Sequence, residues 1–101
     1  MNNYIDECLI TLGEECAEVI QAVSKIQRFG ISSYHPSTPD VSNKEHLQRE
    51  IADVLCMIDL LREEGFIDEH LVQNAKLQKR IKFKRYSTFS PTRDVVLEED
   101  C

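Results

Sequence analysis

Acidic residues with the spacing of a metal site occur twice in this sequence. Glu15 and Glu18 stand three residues apart in the segment ECAEVIQAV, and Glu50 and Asp53 repeat that spacing in EIADVLCMIDLL. Residues three apart on a helix are neighbours on one face, one turn above the other. Each segment therefore offers a pair of carboxylates on one side of a helix.

The apolar residues around each pair recur in alternating steps of three and four, which predicts two amphipathic helices. The predicted stripes are Ile5, Leu9, Leu12, Cys16, Val19, Val23 and Ile26 in the first helix, and Leu47, Ile51, Val54, Ile58 and Leu61 in the second. At about 100° per residue, Glu15 and Glu50 fall at the edges of these stripes, with Glu18 and Asp53 farther round the same flank. Packing the stripes together should bring four carboxylates to one border of the core.

Four carboxylates at one border would repel one another unless a cation lies among them. Mg²⁺ or Mn²⁺ suits ligands that are all oxygen, and it leaves positions for water and phosphate oxygens. Either pair alone is more typical of a solvated helix surface. The repetition at matching offsets favours a shared metal site.

Length and composition predict one small helical domain. The chain has 101 residues, of which 42% are apolar and 30% charged. A core of this size is small, so we expect copies of the chain to complete it by association. The net charge of −6 argues against a nucleic-acid partner.

The sequence also predicts a cytoplasmic location. No apolar run reaches transmembrane length, and the start, MNNYIDE, lacks the features of a signal peptide. We therefore expect no membrane partner. The four cysteines show no C-x-x-C spacing, and those inside the helical patterns are expected to be reduced thiols in the core.

Turn and capping residues divide the chain into three helices. The first should run from about Asn3 to Arg28 and end at Gly30. Ser42 and Glu45 form a capping box for the second, which should reach about Glu64. A third should follow Asp68 and reach about Lys84. We expect residues 1–85 to form the helical domain and 86–101 a tail or an arm.

Two further segments could contact a ligand. The loop 31–43 carries Tyr34 and His35, which could contact a base, although a plain connector is the more common role of such a loop. The third helix carries Lys76, Lys79 and Arg80 at helical spacing. That basic face could bind phosphates, or it could be a solvated surface that balances an acidic protein.

The two acidic motifs, their order and the loop between them resemble the MazG-like nucleoside triphosphate pyrophosphohydrolases. The signature E-E-x-x-E followed by E-x-x-D is matched by Glu14, Glu15 and Glu18 and then by Glu50 and Asp53. The resemblance covers about residues 3–82, and the segment between the motifs is somewhat long for the family. It implies an all-α, antiparallel helical bundle of the MazG type, a four-helix bundle whose core is completed in a homo-dimer or homo-tetramer.

The resemblance also implies Mg²⁺-dependent hydrolysis of a nucleoside triphosphate to the monophosphate and pyrophosphate. The metal ligands would be Glu15, Glu18, Glu50 and Asp53, while Glu14, or Glu15 in a second role, would act on the attacking water. Five basic residues are candidates for binding the polyphosphate: Lys25, Arg28, Lys76, Lys79 and Arg80.

Other functions remain open at this point. Hydrolysis of phosphoribosyl-ATP is an alternative within the same superfamily. A non-catalytic helical interaction module is an alternative of a different class, in which the acids are only surface charge. The sequence does not indicate the preferred base or sugar, or whether the oligomer is a dimer or a tetramer.

Overall fold

The computed structural model describes residues 3–89, and this part of the chain contains three α-helices and no strand. They are α1 (Asn3–Phe29), α2 (Asn43–Glu63) and α3 (Glu69–Tyr86). The predicted all-α fold class is confirmed, but the described residues supply three helices rather than the four of a four-helix bundle. The expected tail or arm lies almost wholly outside the described residues.

The chain divides into two compact units. One ends at Phe66 and contains α1 and α2, and the other begins at Ile67 and contains α3. The predicted domain boundary at residue 85 stays a prediction. Among residues 3–89, no helix is both long and apolar enough to cross a membrane.

The helix ends follow from local chemistry, as the sequence predicts. The Ser42 hydroxyl accepts a hydrogen bond from the Glu45 amide at 3.1 Å, and the Asp68 carboxylate accepts one from the Leu71 amide at 3.1 Å. Both bonds satisfy amides that have no partner within the helix. Gly30 follows α1 with φ +95°, a left-handed conformation that glycine adopts without strain.

α1 and α2 form an antiparallel hairpin. The Asn43 side chain at the start of α2 donates a hydrogen bond to the Gly30 carbonyl, directly after α1, at 3.1 Å. At the opposite end, Tyr4 lies near the last turn of α2. Burial and Cys8 raise the pKa of Tyr4, and the carboxylates of Glu64 and Glu63 raise it further. The two helices therefore run side by side along most of their length.

The stripe of α1 that meets α2 shares Ile5, Leu12, Val19 and Ile26 with the predicted stripe and is displaced by one residue at the positions between them. The most buried apolar residues are Cys8, Ala22 and Leu61, each 1–2% exposed. The stripe of α1 that meets α2 combines Cys8 and Ala22 with half-buried residues at helical spacing, namely Ile5, Leu12, Glu15, Val19 and Ile26. Small side chains at positions 8 and 22 allow the helices to approach closely there, and cysteine and alanine are both residue types that are often fully buried.

Several predicted core residues are exposed as a result. They are Leu9, Cys16, Val23 and Ile51, together with the thiol of Cys56. The expectation that all helical cysteines lie in the core is therefore wrong for Cys16 and Cys56 and correct for Cys8. All three are free thiols.

Candidate metal centre

Three of the predicted metal ligands converge between α1 and α2. One carboxylate oxygen each from Glu15, Glu50 and Asp53 lies within 4.8 Å of the other two. Glu15 and Glu50 are half-buried, and Asp53 is exposed. We call these three residues the acidic cluster. It lies on the side of the hairpin, open to solvent through Asp53.

The contact between the helices uses positions 15 and 50 where the predicted stripes used 16 and 51, and this displacement explains the arrangement. Glu15 occupies the stripe of α1 that faces α2, between Leu12 and Val19, and Glu50 occupies the corresponding stripe of α2. Both were predicted at the edges of the stripes. Asp53, one turn beyond Glu50, lies on the exposed flank of the same helix. The two glutamates are therefore more buried than the sequence pattern predicts.

The electrostatics of the cluster are unfavourable without a cation. Burial raises the pKa of Glu15 above its ordinary value, and the charges of Asp53 and Glu50 raise it further, as do a hydrogen bond with Asp53 and the charge of Glu18. Among residues 3–89, the basic group within 4.0 Å of the cluster is His46, whose Nε2 is 3.8 Å from Glu50 Oε1. Carboxylates this close repel each other unless one is protonated or a cation binds.

The donor set fits a hard divalent ion. Oxygen ligands around Mg²⁺ at about 2.0–2.1 Å lie about 3–4 Å from one another. Carboxylate oxygens within 4.8 Å of one another need only small side-chain rotations to reach that geometry. Three carboxylates also leave octahedral positions for water and phosphate oxygens. Glu15, Glu50 and Asp53 would hold the ion.

Glu18 and Glu14 lie outside this group. Glu18 is exposed on α1, and its charge contributes to the raised pKa of Glu15. It is therefore a neighbour of the cluster, although its carboxylate is not among the three that converge. Glu14 is exposed and precedes Glu15 directly, at a different angle around α1.

The predicted basic residues occupy different environments. Lys25 is exposed on the last turns of α1 and lines a pocket beside the loop. The Arg28 guanidinium lies over the Phe29 ring, with 5.3 Å between its central carbon and the ring centroid. Lys76, Lys79 and Arg80 are exposed on α3, in the second unit. Their role in binding phosphates stays a prediction.

Two residues near the cluster have no role in the sequence analysis. His46 is half-buried between Glu50 and the pocket. Asn43 is 8% exposed, and it donates from its side chain to the Gly30 carbonyl and from its amide to the Ser33 carbonyl. For His46, the signal available in the sequence was its position four residues before Glu50, on the same helical face.

Comparison with known proteins does not identify the chain. No model of a protein family, no curated protein and no solved structure matches it. The resemblance to MazG-like enzymes therefore rests on the two acidic sequence motifs alone.

Proposed function

We propose that this protein is a metal-dependent nucleoside triphosphate pyrophosphohydrolase. The observation that carries the proposal is the convergence of Glu15 with Glu50 and Asp53 from two helices, with oxygens within 4.8 Å. A surface that merely needed solvation would not place two half-buried glutamates face to face in a helix contact. The MazG-like motifs name the same residues.

The reaction assigns distinct roles to the acids. Water attacks the α-phosphorus of the triphosphate, the bond from that phosphorus to the bridging oxygen breaks, and pyrophosphate leaves with the bond's electron pair. Glu15, Glu50 and Asp53 would hold Mg²⁺ or Mn²⁺, with Glu18 as a fourth, adjacent carboxylate. Glu14, or Glu15 in a second role, would orient the water and accept its proton. The ion would supply Lewis acidity and offset negative charge on the phosphates.

The bases named by the resemblance would complete the binding of the triphosphate. Lys25 has the best structural support, because it belongs to the same unit as the acidic cluster and lines a pocket there. Arg28 would have to leave the Phe29 ring in order to reach a phosphate. Lys76, Lys79 and Arg80 lie on α3 in the second unit, and the proposal does not depend on them.

The direct test is a screen of nucleoside triphosphates with Mg²⁺, scored by release of pyrophosphate. We expect Glu50→Gln and Asp53→Asn to lower turnover by about 100-fold or more, because each removes a charged ligand of the ion. Asp59→Asn is the matched control, since Asp59 is an exposed acid of α2 that pairs with Arg62 at 2.7 Å. The proposal is wrong if no triphosphate is hydrolysed and no divalent ion raises the melting temperature.

Phosphoribosyl-ATP remains an alternative substrate for the same chemistry. It presents the same triphosphate on the same metal, so the acidic cluster does not discriminate between the two. Including it in the screen decides the matter, because only the ratio of the two turnover rates separates these activities. A role in cleansing the nucleotide pool would suit a cytoplasmic protein.

A second proposal concerns self-association. A row of apolar side chains lies beside the contact of α1 with α2 and is at least one-third exposed. This outer apolar stripe consists of Leu9, Ile20 and Val23 on α1 and Ile51 and Leu55 on α2. A second copy of the chain would cover it in a dimer or a tetramer and would supply the helices that a four-helix bundle requires. The non-catalytic interaction module draws on the same observation but predicts no hydrolysis.

A further inference from the structure

A pocket of about 250 Å³ lies where the end of α1 meets the loop and the start of α2. It is lined by Lys25 from α1, by loop residues including His35, Ser37 and Thr38, and by Asn43 and His46 from α2. None of the lining residues is acidic, although the chain carries 18 aspartates and glutamates. In an acidic protein, this pocket therefore offers donors and positive charge.

The loop that forms the pocket is held at both ends. The amides of Asn43 and Lys44 donate to the carbonyls of Ser33 and Ile31 at 2.7 and 3.0 Å. Tyr34 pairs with Ser42 as an isolated antiparallel bridge. These bonds use the first amides of α2, so a ligand in the pocket would be bound by side chains rather than by the helix terminus.

Hydrogen bonds within the loop identify which ring nitrogen of His35 donates. The Ser37 amide donates to His35 Nδ1 at 3.1 Å, and the Ser37 hydroxyl lies 2.7 Å from the same nitrogen. Because an amide can only donate, Nδ1 is the acceptor, and the proton of the neutral ring is on Nε2. His35 therefore offers its Nε2–H as a donor.

Lys25 supplies a full positive charge that the hairpin does not neutralise. Within residues 3–89, no carboxylate lies within 4.0 Å of its ammonium group, whereas Arg49 and Arg62 are paired with Glu45 and Asp59. The hydroxyl group of Thr38 adds a neutral donor, whereas the Ser37 hydroxyl proton is used by His35 Nδ1. An ammonium, an imidazole N–H and a hydroxyl around one space form a set of donors suited to phosphate oxygens.

The pocket adjoins the acidic cluster through His46. That residue lines the pocket, and its Nε2 is 3.8 Å from Glu50 Oε1. At about 250 Å³ the pocket is below the usual range of about 300–1,000 Å³ for whole small molecules. We propose that it binds phosphate groups, either the two terminal phosphates of the triphosphate or free pyrophosphate. The choice between these two sources of phosphate rests on the proposed function, whereas the binding of phosphate groups by the pocket does not.

The test titrates the full-length, ¹⁵N-labelled protein with sodium pyrophosphate without divalent ions, and follows the amides of residues 35–38. We expect Lys25→Met to weaken the apparent affinity about tenfold, which corresponds to about 1.4 kcal/mol. Thr38→Val, which keeps the shape and removes one hydroxyl, should weaken it less. Lys44→Met is the matched control, because Lys44 is exposed at the start of α2 and does not line the pocket. Its affinity should stay within about twofold of wild type.

Absence of pyrophosphate binding, or an equal loss in Lys25→Met and Lys44→Met, overturns the proposal. Unchanged circular dichroism and melting temperature of each variant show that the fold is intact. A raised KM of Lys25→Met for the triphosphate assigns the pocket to the substrate, and weaker product inhibition at unchanged KM assigns it to free pyrophosphate. Pyrophosphate binding without any hydrolysis would overturn the proposed enzyme and retain the pocket. Hydrolysis without pyrophosphate binding would overturn the pocket proposal and retain the proposed enzyme.

Discussion

Glu15 of α1 and Asp53 of α2 bring carboxylate oxygens within 4.8 Å of each other across the helix contact, and the charge of Asp53 helps to raise the pKa of Glu15. A divalent ion between the two carboxylates would offset that repulsion. The relationship links the fold of the hairpin to its proposed chemistry, because the charges that destabilise the contact are those that would hold the ion.

The first prediction is that Mg²⁺ stabilises the protein. An ion present at 100 times its dissociation constant adds about 2.7 kcal/mol to the free energy of unfolding. For a domain of this size, that is a rise in melting temperature of roughly 10 °C or more. Asp53→Asn should abolish most of this rise, and Asp59→Asn should retain it. Differential scanning calorimetry with and without Mg²⁺ measures both, and an equal rise in the two variants would contradict a site at the cluster.

The second prediction concerns pH. The pKa of Glu15 in the folded protein lies above its ordinary value of 4.5, so the folded state binds a proton more tightly than the unfolded state. Without metal, the free energy of unfolding should therefore fall as pH rises from 4.5 through the raised pKa. Mg²⁺ binding should release a proton in the same window and should weaken as pH is lowered.

Glu15→Gln tests this sign directly. The variant should be more stable than wild type at neutral pH without metal, and its stability should depend less on pH in that window. Glu7→Gln, at an exposed acid of the same helix, is the control and should change neither property. Urea unfolding between pH 4.5 and 8 gives the comparison. Loss of stability in Glu15→Gln at pH 8 without metal would show that the carboxylate is not strained there.

The sequence predicts the helices better than the contact between them. Capping at Ser42 and Asp68 and the left-handed stop at Gly30 depend on neighbouring residues, so local patterns suffice to place the helix ends. The rotation of α1 depends on where another helix can approach most closely. Steps of three and four residues fit Leu9 and Val23 as well as they fit Cys8 and Ala22, and the packing against α2 selects the smaller pair.

The same limit applies to the candidate site. The repeated acids identify Glu15, Glu50 and Asp53, because residue spacing fixes their face on each helix. Their partial burial could not be read from the pattern, since it depends on the rotation of the helix contact. The pocket could not be predicted either, because it is closed by hydrogen bonds between residues such as Asn43 and Gly30, which are 13 positions apart.

The third prediction compares two glycines. A Cβ at Gly13 would meet no atom within 4 Å, so Gly13→Ala should stabilise α1 by about 1 kcal/mol through helix propensity. The space around Gly13 also shows that no helix of the described structure approaches closely there. Gly30 has φ +95°, and Gly30→Ala should destabilise the protein by about 1 kcal/mol. Chemical unfolding measures both, and effects of the same sign would contradict this account of α1.

The fourth prediction tests the rotation of α1. Ala22 is 1% exposed in the contact with α2, so Ala22→Leu should overpack it and cost about 1–3 kcal/mol. Ala17→Leu is the matched control, because Ala17 is exposed on the same helix and leucine has a similar helix propensity. Its effect should stay within about 0.5 kcal/mol. The predicted stripe from the sequence contains neither alanine, so a large cost at position 22 alone supports the observed contact.

The fifth prediction concerns the outer apolar stripe. Ile20 is 69% exposed and Leu55 is 54% exposed. Burying these side chains against a second copy lowers the free energy of a chain of 11.7 kDa, whose own core is small. Sedimentation equilibrium should therefore give a mass of two or four chains at micromolar concentration. Ile20→Gln together with Leu55→Gln should shift this equilibrium toward the monomer, whereas Lys44→Gln should leave it unchanged. A monomeric wild type at these concentrations would remove the second copy from the proposal, and the acidic cluster would then have to act within one hairpin.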